Sequence, residues 1–194
     1  MPPKSVSAEL LLTSFGPFRS RFKNGSKTVS DTIQAMANPH IEVMNFPVHW
    51  GVIEEVALPR IHTLQPKIIL GLGEGPPDKI YFETRAVNRR EGEDEKGMRS
   101  ATHMIDSKGT ETISSRWPTP VESIPQQHTA IQLSRDAGYY LCNNALYRYL
   151  QSSALYAGFL HLPPQEETSD QSYLANILAP VLSLIQSALD QFER

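Results

Sequence analysis

Several short apolar runs in this sequence stop at glycine or proline. Residues 9–14, 67–72 and 154–162 are such runs, and a Gly-Pro pair, a glycine-rich stretch and a Pro-Pro pair follow them in turn. Runs of this length with turn residues behind them predict buried strands. Because segments with apolar residues at helical spacing lie between them, we predict an α/β fold. Its form would be a three-layer α/β/α sandwich with a mainly parallel, mixed central sheet.

The remaining elements follow from the same periodicities. Ser26 or Thr28 is predicted to cap the first helix and Ser169 or Asp170 the last, while Pro59 would kink the second helix. The predicted helices span residues 28–37, 52–64, 142–150 and 170–189, and the further strands span residues 41–48, 79–87 and 128–133. The charged segment 89–110 has little apolar periodicity and predicts a long, mobile surface loop.

Composition limits the domain number, the partners and the compartment. A chain of 194 residues with a mean hydropathy of -0.34 suits one soluble domain, residues 1–194. The net charge of -3 without a basic stripe argues against nucleic-acid binding, and the single cysteine excludes a disulfide framework or a cysteine-rich zinc site. The apolar runs are too short for a membrane span or a signal peptide. We expect a cytoplasmic protein without membrane contact, metal or cofactor.

The single cysteine, Cys142, has two interpretations. A lone free cysteine is most often a small buried apolar residue. Here Gly138 breaks the chain just before it, and residues 143–150 have the pattern of an amphipathic helix. Cys142 is therefore placed at a helix N-terminus, where backbone amides and the helix dipole favour an anion. This position makes Cys142 a candidate nucleophile.

A thiolate nucleophile needs a base and a group that orients the base. In open α/β sheets sites form beyond the carboxyl ends of strands, and His161 lies near the end of a predicted strand. Glu83 interrupts a partly buried, alternating strand. His161 is also explained as a packed strand histidine, and Glu83 as a solvent-facing strand residue. Residue types alone leave both alternatives open.

A resemblance to a known family adds what spacing cannot give. Six segments occur in the order found in the pyroglutamyl peptidase I family of cysteine peptidases. They are LTSFGPF (12–18), PVHWG (47–51), LGLGEG (70–75), ETRAVN (83–88), AGYYLCN (137–143) and AGFLHLP (157–163). The resemblance covers most of the chain. It implies a phosphorylase/hydrolase-like α/β/α fold and cleavage of the amide bond after an N-terminal pyroglutamyl residue through a thiol acyl-enzyme.

The resemblance also implies roles for individual residues. Cys142 would be the nucleophile, His161 the base and later the acid, and Glu83 the group that orients the imidazole. The substrate-binding positions would be Phe15, Phe18, Asn24, Glu74 and Tyr140. The implied partner is a small peptide with N-terminal pyroglutamate, and members of the family often self-associate, here as a dimer or tetramer.

The sequence departs from the family pattern around these residues. Glu74 stands where many members have glutamine or a small residue, and Gly25 stands where proline is usual. Tyr140 replaces phenylalanine and adds a hydroxyl group. The family's arginine beyond the Asn88 motif, which is thought to assist the oxyanion, has no clear counterpart, since neither Arg89 nor Arg90 aligns with it. The interval from the cysteine to the histidine is short, and the family's segment after the proline is missing.

These departures leave other functions open. One alternative is an enzyme that acts on another small acyl or lactam amide, and another is a non-catalytic binding protein with the same fold. A nucleotide site at residues 71–75 is disfavoured, because the GxGxG pattern followed by proline is not the dinucleotide fingerprint.

Overall fold

A computed structural model describes residues 8–19, 21–166 and 169–192. Residues 1–7 lie outside the described residues, and with them part of the N-terminal stretch in which a signal peptide was not expected. The strands are β1 (Leu10–Phe15), β2 (Ile41–Phe46), β3 (Ile68–Glu74), β4 (Ile80–Glu83), β5 (Arg85–Val87), β6 (Thr112–Ser114), β7 (Ile131–Ser134) and β8 (Tyr156–Leu162). The α-helices are α1 (Gly25–Ala35), α2 (Leu58–Leu64), α3 (Ile124–Gln127), α4 (Leu141–Gln151) and α5 (Asp170–Leu189).

Six strands form the central sheet, in the order β2-β1-β3-β8-β4-β7. The first four of these are mutually parallel, β4 is antiparallel to β8, and β7 is parallel to β4. Strands β5 and β6 form a separate antiparallel pair. The predicted mixed, mainly parallel sheet is confirmed.

Helices cover both faces of the sheet. Successive side chains of a strand point to opposite faces. Leu10 and Leu12 of β1 accordingly pack in a core cluster with α1 and α5, whereas Leu11 packs in a second cluster with α2 and α4. The two clusters are the two apolar layers of an α/β/α sandwich, as predicted.

Helix α5 is long and apolar enough to cross a membrane by length and composition alone. It has 20 residues, and its most apolar window has a mean hydropathy of 1.4. Polar residues interrupt its apolar stretch, so no single apolar run in the sequence has this length. Ile177, Val181 and Leu184 are buried in the core cluster on one face of the sheet. A core helix of a soluble protein passes the same test.

One predicted helix detail was wrong, and a second stays a prediction. Asn24 caps α1 in place of Ser26 or Thr28, because its Oδ1 accepts a hydrogen bond from the backbone N–H of Ser26 at 2.9 Å. The helix begins at Gly25 and includes both predicted caps. Pro59 lies in the first turn of α2, directly after a π-helical turn at Ile53–Ala57. An irregular turn thus directly precedes the proline, and the predicted kink there stays a prediction.

The segment 79–87 divides between two sheets. Strand β4 belongs to the central sheet and β5 to the small one, and between them the backbone N–H of Thr84 bonds the carbonyl of Ser134. This division matters for the site, because it ends β4 at Glu83.

The structure describes all of segment 89–110, and no helix or ladder of strands occurs in it. The segment nevertheless has fixed contacts with the domain. The side chain of Asn88 bonds the backbone N–H groups of Ile105 and Asp106, and Arg148 of α4 donates to the carbonyl of Ile105 at 2.6 Å. The predicted irregular loop is therefore packed against α4 and the chain around Asn88.

Candidate active site

A cavity of about 470 Å³ lies at the sheet edge where β3 and β8 end, beside the start of α4. Its lining residues come from elements far apart in the chain. They are Phe15, Phe18, Arg21, Asn24, Val48, Gly73, Glu74, Gly75, Pro76, Asp136, Ala137, Gly138, Tyr140, Leu141, Cys142, His161 and Pro164. The set includes seven of the eight predicted site residues, and Glu83 lies directly behind it.

Cys142 is the second residue of α4 and is half-buried. The residue before the helix, Tyr140, has an extended backbone and makes no side-chain capping bond. The first amides of α4 are therefore not occupied by a capping side chain from that residue. Free amides at a helix start stabilise an anion, which suits a thiolate or an oxyanion at Cys142.

His161 and Glu83 form a buried pair across two strands. In the antiparallel pairing of β4 with β8, Tyr81 lies opposite His161, so Glu83 is the diagonal neighbour of His161 on the same face. The Nδ1 of His161 and the Oε1 of Glu83 are 2.7 Å apart. The exposed fractions are 7% for His161 and 1% for Glu83, so the pair is shielded from water. A carboxylate at Nδ1 fixes the ring and leaves Nε2 for proton transfer.

Glycines on β3 and directly after it make room for the candidate catalytic side chains. Gly71 and Gly73 alternate along β3, and Gly75 follows its last residue at the same spacing, so the three share one face. A Cβ built at Gly73 would lie 2.7 Å from the Sγ of Cys142, and one built at Gly75 would lie 2.6 Å from the Cβ of His161. The glycine-rich stretch thus removes side chains from the strand face on which Cys142 and His161 rest.

The charge state of His161 depends on its neighbours. Its burial acts to lower its pKa, but the hydrogen bonding and charge of Cys142, together with those of Glu83, outweigh burial and raise the pKa to about 10. At neutral pH the ring therefore holds a proton.

Aromatic residues form one wall of the cavity. The ring of Phe18 lies 5.4 Å from that of Tyr140, and Phe15 closes the floor beside Phe46. The hydroxyl group of Tyr140 donates to the carbonyl of Glu93 at 2.9 Å, so it holds the 89–110 segment against the cavity. Burial is the main reason that the pKa of Tyr140 is raised above its usual value.

Asn24 lines the cavity, but its side chain is also part of the scaffold. Its Oδ1 accepts from the backbone N–H and the hydroxyl group of Ser26, and its Nδ2 donates to the carbonyl of Gly16 at 2.8 Å. These bonds hold the start of α1 against the turn after β1. A contact between Asn24 and a substrate stays a prediction.

The side chain of Glu74, like that of Asn24, is part of the scaffold, because both of its carboxylate oxygens already have partners. The Oε1 atom accepts from the backbone N–H groups of Gly25 and Gln165, at 2.6 and 2.9 Å, and Oε2 pairs with Arg21 at 2.5 Å. The carboxylate thus joins the start of α1 to the chain after β8. Its charge is compensated inside the protein, and a contact between Glu74 and a substrate also stays a prediction.

The packing around residue 25 explains why glycine stands there instead of the proline that is usual in the family. A Cβ at this position would lie 2.1 Å from the hydroxyl oxygen of Tyr173 on α5. That hydroxyl donates to the carbonyl of Pro163 at 2.6 Å. The tyrosine ring occupies the space of a larger residue 25, so this chain requires glycine there.

Among the described residues, no group of three or more histidine, cysteine, aspartate or glutamate side chains could hold a metal ion. Cys142 and His161 of the lining, with Glu83 behind it, instead form a cysteine, histidine and glutamate set. This set is suited to nucleophilic acyl transfer.

Sequence comparisons agree with this geometry. The profile of the pyroglutamyl peptidase family matches residues 8–187. The chain belongs to the pyroglutamyl peptidase family. A pyrrolidone-carboxylate peptidase of Saccharolobus islandicus is 30% identical over 186 residues, covering 90% of this chain and 86% of that protein. The enzyme of that name from Oceanobacillus iheyensis is 28% identical over 166 residues, covering 80% and 83%.

Solved structures show the same fold for this family member. The pyroglutamyl peptidase I of Bacillus amyloliquefaciens superposes with a TM-score of 0.79 at 22% identity, covering 94% of this chain and 95% of that one. The pyrrolidone carboxyl peptidase of Thermococcus litoralis gives 0.78 at 21% identity, with 95% and 94% covered. At these identities the superpositions establish the fold alone.

Neither Arg89 nor Arg90 of this family member is among the described residues that line the cavity. Arg89 lies over the ring of Tyr139 and pairs with Glu91, and Arg90 pairs with Glu54. The amides at the start of α4, beside Cys142, are candidate oxyanion donors.

The glycine face predicts a sharp steric effect. Gly75→Ala would bring a Cβ into contact with the backbone-proximal atoms of His161, which cannot move without shifting β8. We expect a loss of stability of about 1–3 kcal/mol and a fall in kcat/KM of about tenfold or more. Urea unfolding and hydrolysis assays measure the two effects.

Gly16→Ala is the matched control. A Cβ there meets only the carbonyl of Phe46 at 3.6 Å, an ordinary contact distance. If Gly75→Ala were as stable and as active as Gly16→Ala, the proposed close packing against His161 would be wrong.

Proposed function

We propose that this chain is a cysteine exopeptidase that hydrolyses the amide bond after an N-terminal pyroglutamyl residue. The observation that carries the proposal is the 2.7 Å contact between Glu83 and His161, because His161 lines the cavity that Cys142 also lines at the start of α4. Membership of the pyroglutamyl peptidase family supports the choice of acyl group.

The first half of the reaction is acylation. The thiolate of Cys142 attacks the carbonyl carbon of the pyroglutamyl residue, and the carbonyl oxygen becomes an oxyanion. Amides at the start of α4 donate to that oxyanion. His161 transfers its proton from Nε2 to the amine as the C–N bond breaks, and Glu83 keeps the ring oriented. The released peptide begins with a free amino group.

The second half is deacylation. His161 has lost its proton and now acts as the base that removes a proton from water. The resulting hydroxide attacks the thioester carbon, the C–S bond breaks, and pyroglutamate leaves. The thiolate of Cys142 and the imidazolium of His161 are restored, so the cycle needs no metal or redox partner in this scheme.

The ring site would lie on the side of Phe15 and Phe18. A pyroglutamyl ring is small, neutral and flat-sided, and aromatic walls suit it. Tyr140, whose ring lies beside that of Phe18, would extend this wall, with Asn24 and Glu74 at the polar edge of the ring site. A cytoplasmic location and assembly into a dimer or tetramer are further parts of the proposal, based on the family resemblance.

The test is release of aminomethylcoumarin from its pyroglutamyl, prolyl and glutamyl derivatives under reducing conditions. Only the pyroglutamyl compound combines a five-membered ring with a lactam N–H and C=O, so we expect it alone to be hydrolysed. Hydrolysis of the prolyl compound at a similar rate would show that the lactam is not recognised. Absence of hydrolysis of all three by folded protein would contradict the proposal.

A further inference from the structure

The order of the strands gives the cavity two distinct sides. Gly73 of β3 lies opposite His161 of β8 in the sheet, and these two residues mark the centre of the site. On one side lie β1, which ends at Phe15, and β2, which Val48 follows. On the other side lie β4 and β7, and Asp136 follows the end of β7.

The direction in which the substrate lies follows from the chemistry. The sulfur of Cys142 rests over β3, whereas His161 lies on β8 and is bonded to Glu83 of β4. The leaving amine takes its proton from His161, so it must lie on the β8 side of the attacked carbon. The ring then lies on the β1 side, and the peptide that leaves extends toward β4 and β7, where Asp136 is found.

Asp136 is the uncompensated charge on this side of the cavity. Arg21 and Glu74, the other ionic residues of the lining outside the catalytic set, pair with each other. The Oδ1 of Asp136 accepts from the backbone N–H of Gly138 at 3.0 Å. No hydrogen bond or ion pair to Oδ2 occurs in the described part of the chain. The residue is exposed, so a ligand can reach it.

We infer that Asp136 determines specificity for the residue that follows pyroglutamate, favouring a cationic side chain and disfavouring an anionic one. This inference rests on the proposed function, because it uses the direction of the scissile bond. It concerns the leaving peptide and is independent of how the ring is held. Asp136 would contact the substrate but take no part in proton transfer.

The test compares three pyroglutamyl tripeptide amides whose second residue is lysine, glutamine or glutamate. Since exposed ion pairs are weak, we expect kcat/KM for the lysine peptide to exceed that for the glutamate peptide by about tenfold at low salt. In Asp136→Asn, which keeps the oxygen that accepts from Gly138, this ratio should fall to within about twofold of unity. About 0.5 M NaCl should reduce the wild-type ratio in the same direction.

Glu122→Gln is the matched control, because it removes an equal charge from an exposed residue outside the cavity lining. It should keep the wild-type ratio. If the wild type hydrolyses all three peptides at similar rates, or if Asp136→Asn keeps the wild-type ratio, the inference is wrong while the proposed function stands. If the neutral glutamine peptide is not hydrolysed at all, the proposed function itself fails.

Discussion

Replacing Cys142 with serine is expected to abolish hydrolysis of pyroglutamyl-aminomethylcoumarin while leaving the protein folded. The hydroxyl group occupies less space than the sulfur atom at this half-buried position, so α4 should keep its place. A serine hydroxyl is a far weaker nucleophile without a base matched to it, so kcat should fall by at least about three orders of magnitude. Steady-state kinetics measure the loss, and circular dichroism with thermal unfolding checks the fold.

The chain offers an internal control for this substitution, because Cys142 is its single cysteine. One equivalent of iodoacetamide should inactivate the wild type, and Cys142→Ser should incorporate none. Protection of the wild type by a pyroglutamyl peptide would place the thiol in the substrate cavity. Turnover by folded Cys142→Ser at a rate near that of wild type would exclude a cysteine nucleophile.

The glycine-rich stretch illustrates where sequence analysis reaches its limit. Its spacing disfavours a dinucleotide fingerprint, and alternate glycines in a buried strand indicate a close approach on one face. Which groups approach Gly73 and Gly75 depends on the register of β3 against β8 and on the position of α4. Cys142 and His161 are about 70 and 90 residues away along the chain, so local periodicity carries no information about their contact.

The polar residues at the cavity were harder to predict than the strands. Asn24 and Glu74 have the residue types of substrate ligands, yet both side chains also hold the start of α1. The same residue types supply the oxygens that cap helices and the oxygens that bind ligands, so residue type alone does not separate the two roles. Asp136 was missed for a related reason, because it lies in a loop whose position depends on β7 pairing with β4. In both cases the role of the side chain depends on contacts between segments far apart in the chain.

Glu83→Gln is expected to separate the charge of the orienting residue from its shape. The Oε2 atom of Glu83 is buried and has no hydrogen-bond partner in the described structure, so an amide group loses no existing bond there. Oε1 can still accept from Nδ1 of His161. Without the negative charge, the imidazolium is less stable in a buried site. We expect kcat to fall by about 10²- to 10⁴-fold.

We also expect Glu83→Gln to change how the free energy of unfolding depends on pH. The folded-state pKa of His161, raised to about 10, lies above the unfolded value of 6.5. Its stabilising contribution is therefore complete below pH 6.5 and is lost as the pH rises toward 10. Glu83→Gln removes part of this shift. The wild type should exceed the variant in free energy of unfolding most at about pH 6, and less at about pH 9.

Urea unfolding of wild type, Glu83→Gln and the surface variant Glu122→Gln under reducing conditions measures this difference. Comparison at each pH cancels the titration of groups that the substitution does not affect. Glu122→Gln should keep the wild-type dependence, because this exposed residue is not among the groups that shift the pKa of His161. If the difference between wild type and Glu83→Gln stayed constant or grew as the pH rose, Glu83 would not be stabilising an imidazolium. Its bond to His161 would then orient a neutral ring, and the proton for the leaving amine would have to come from another group.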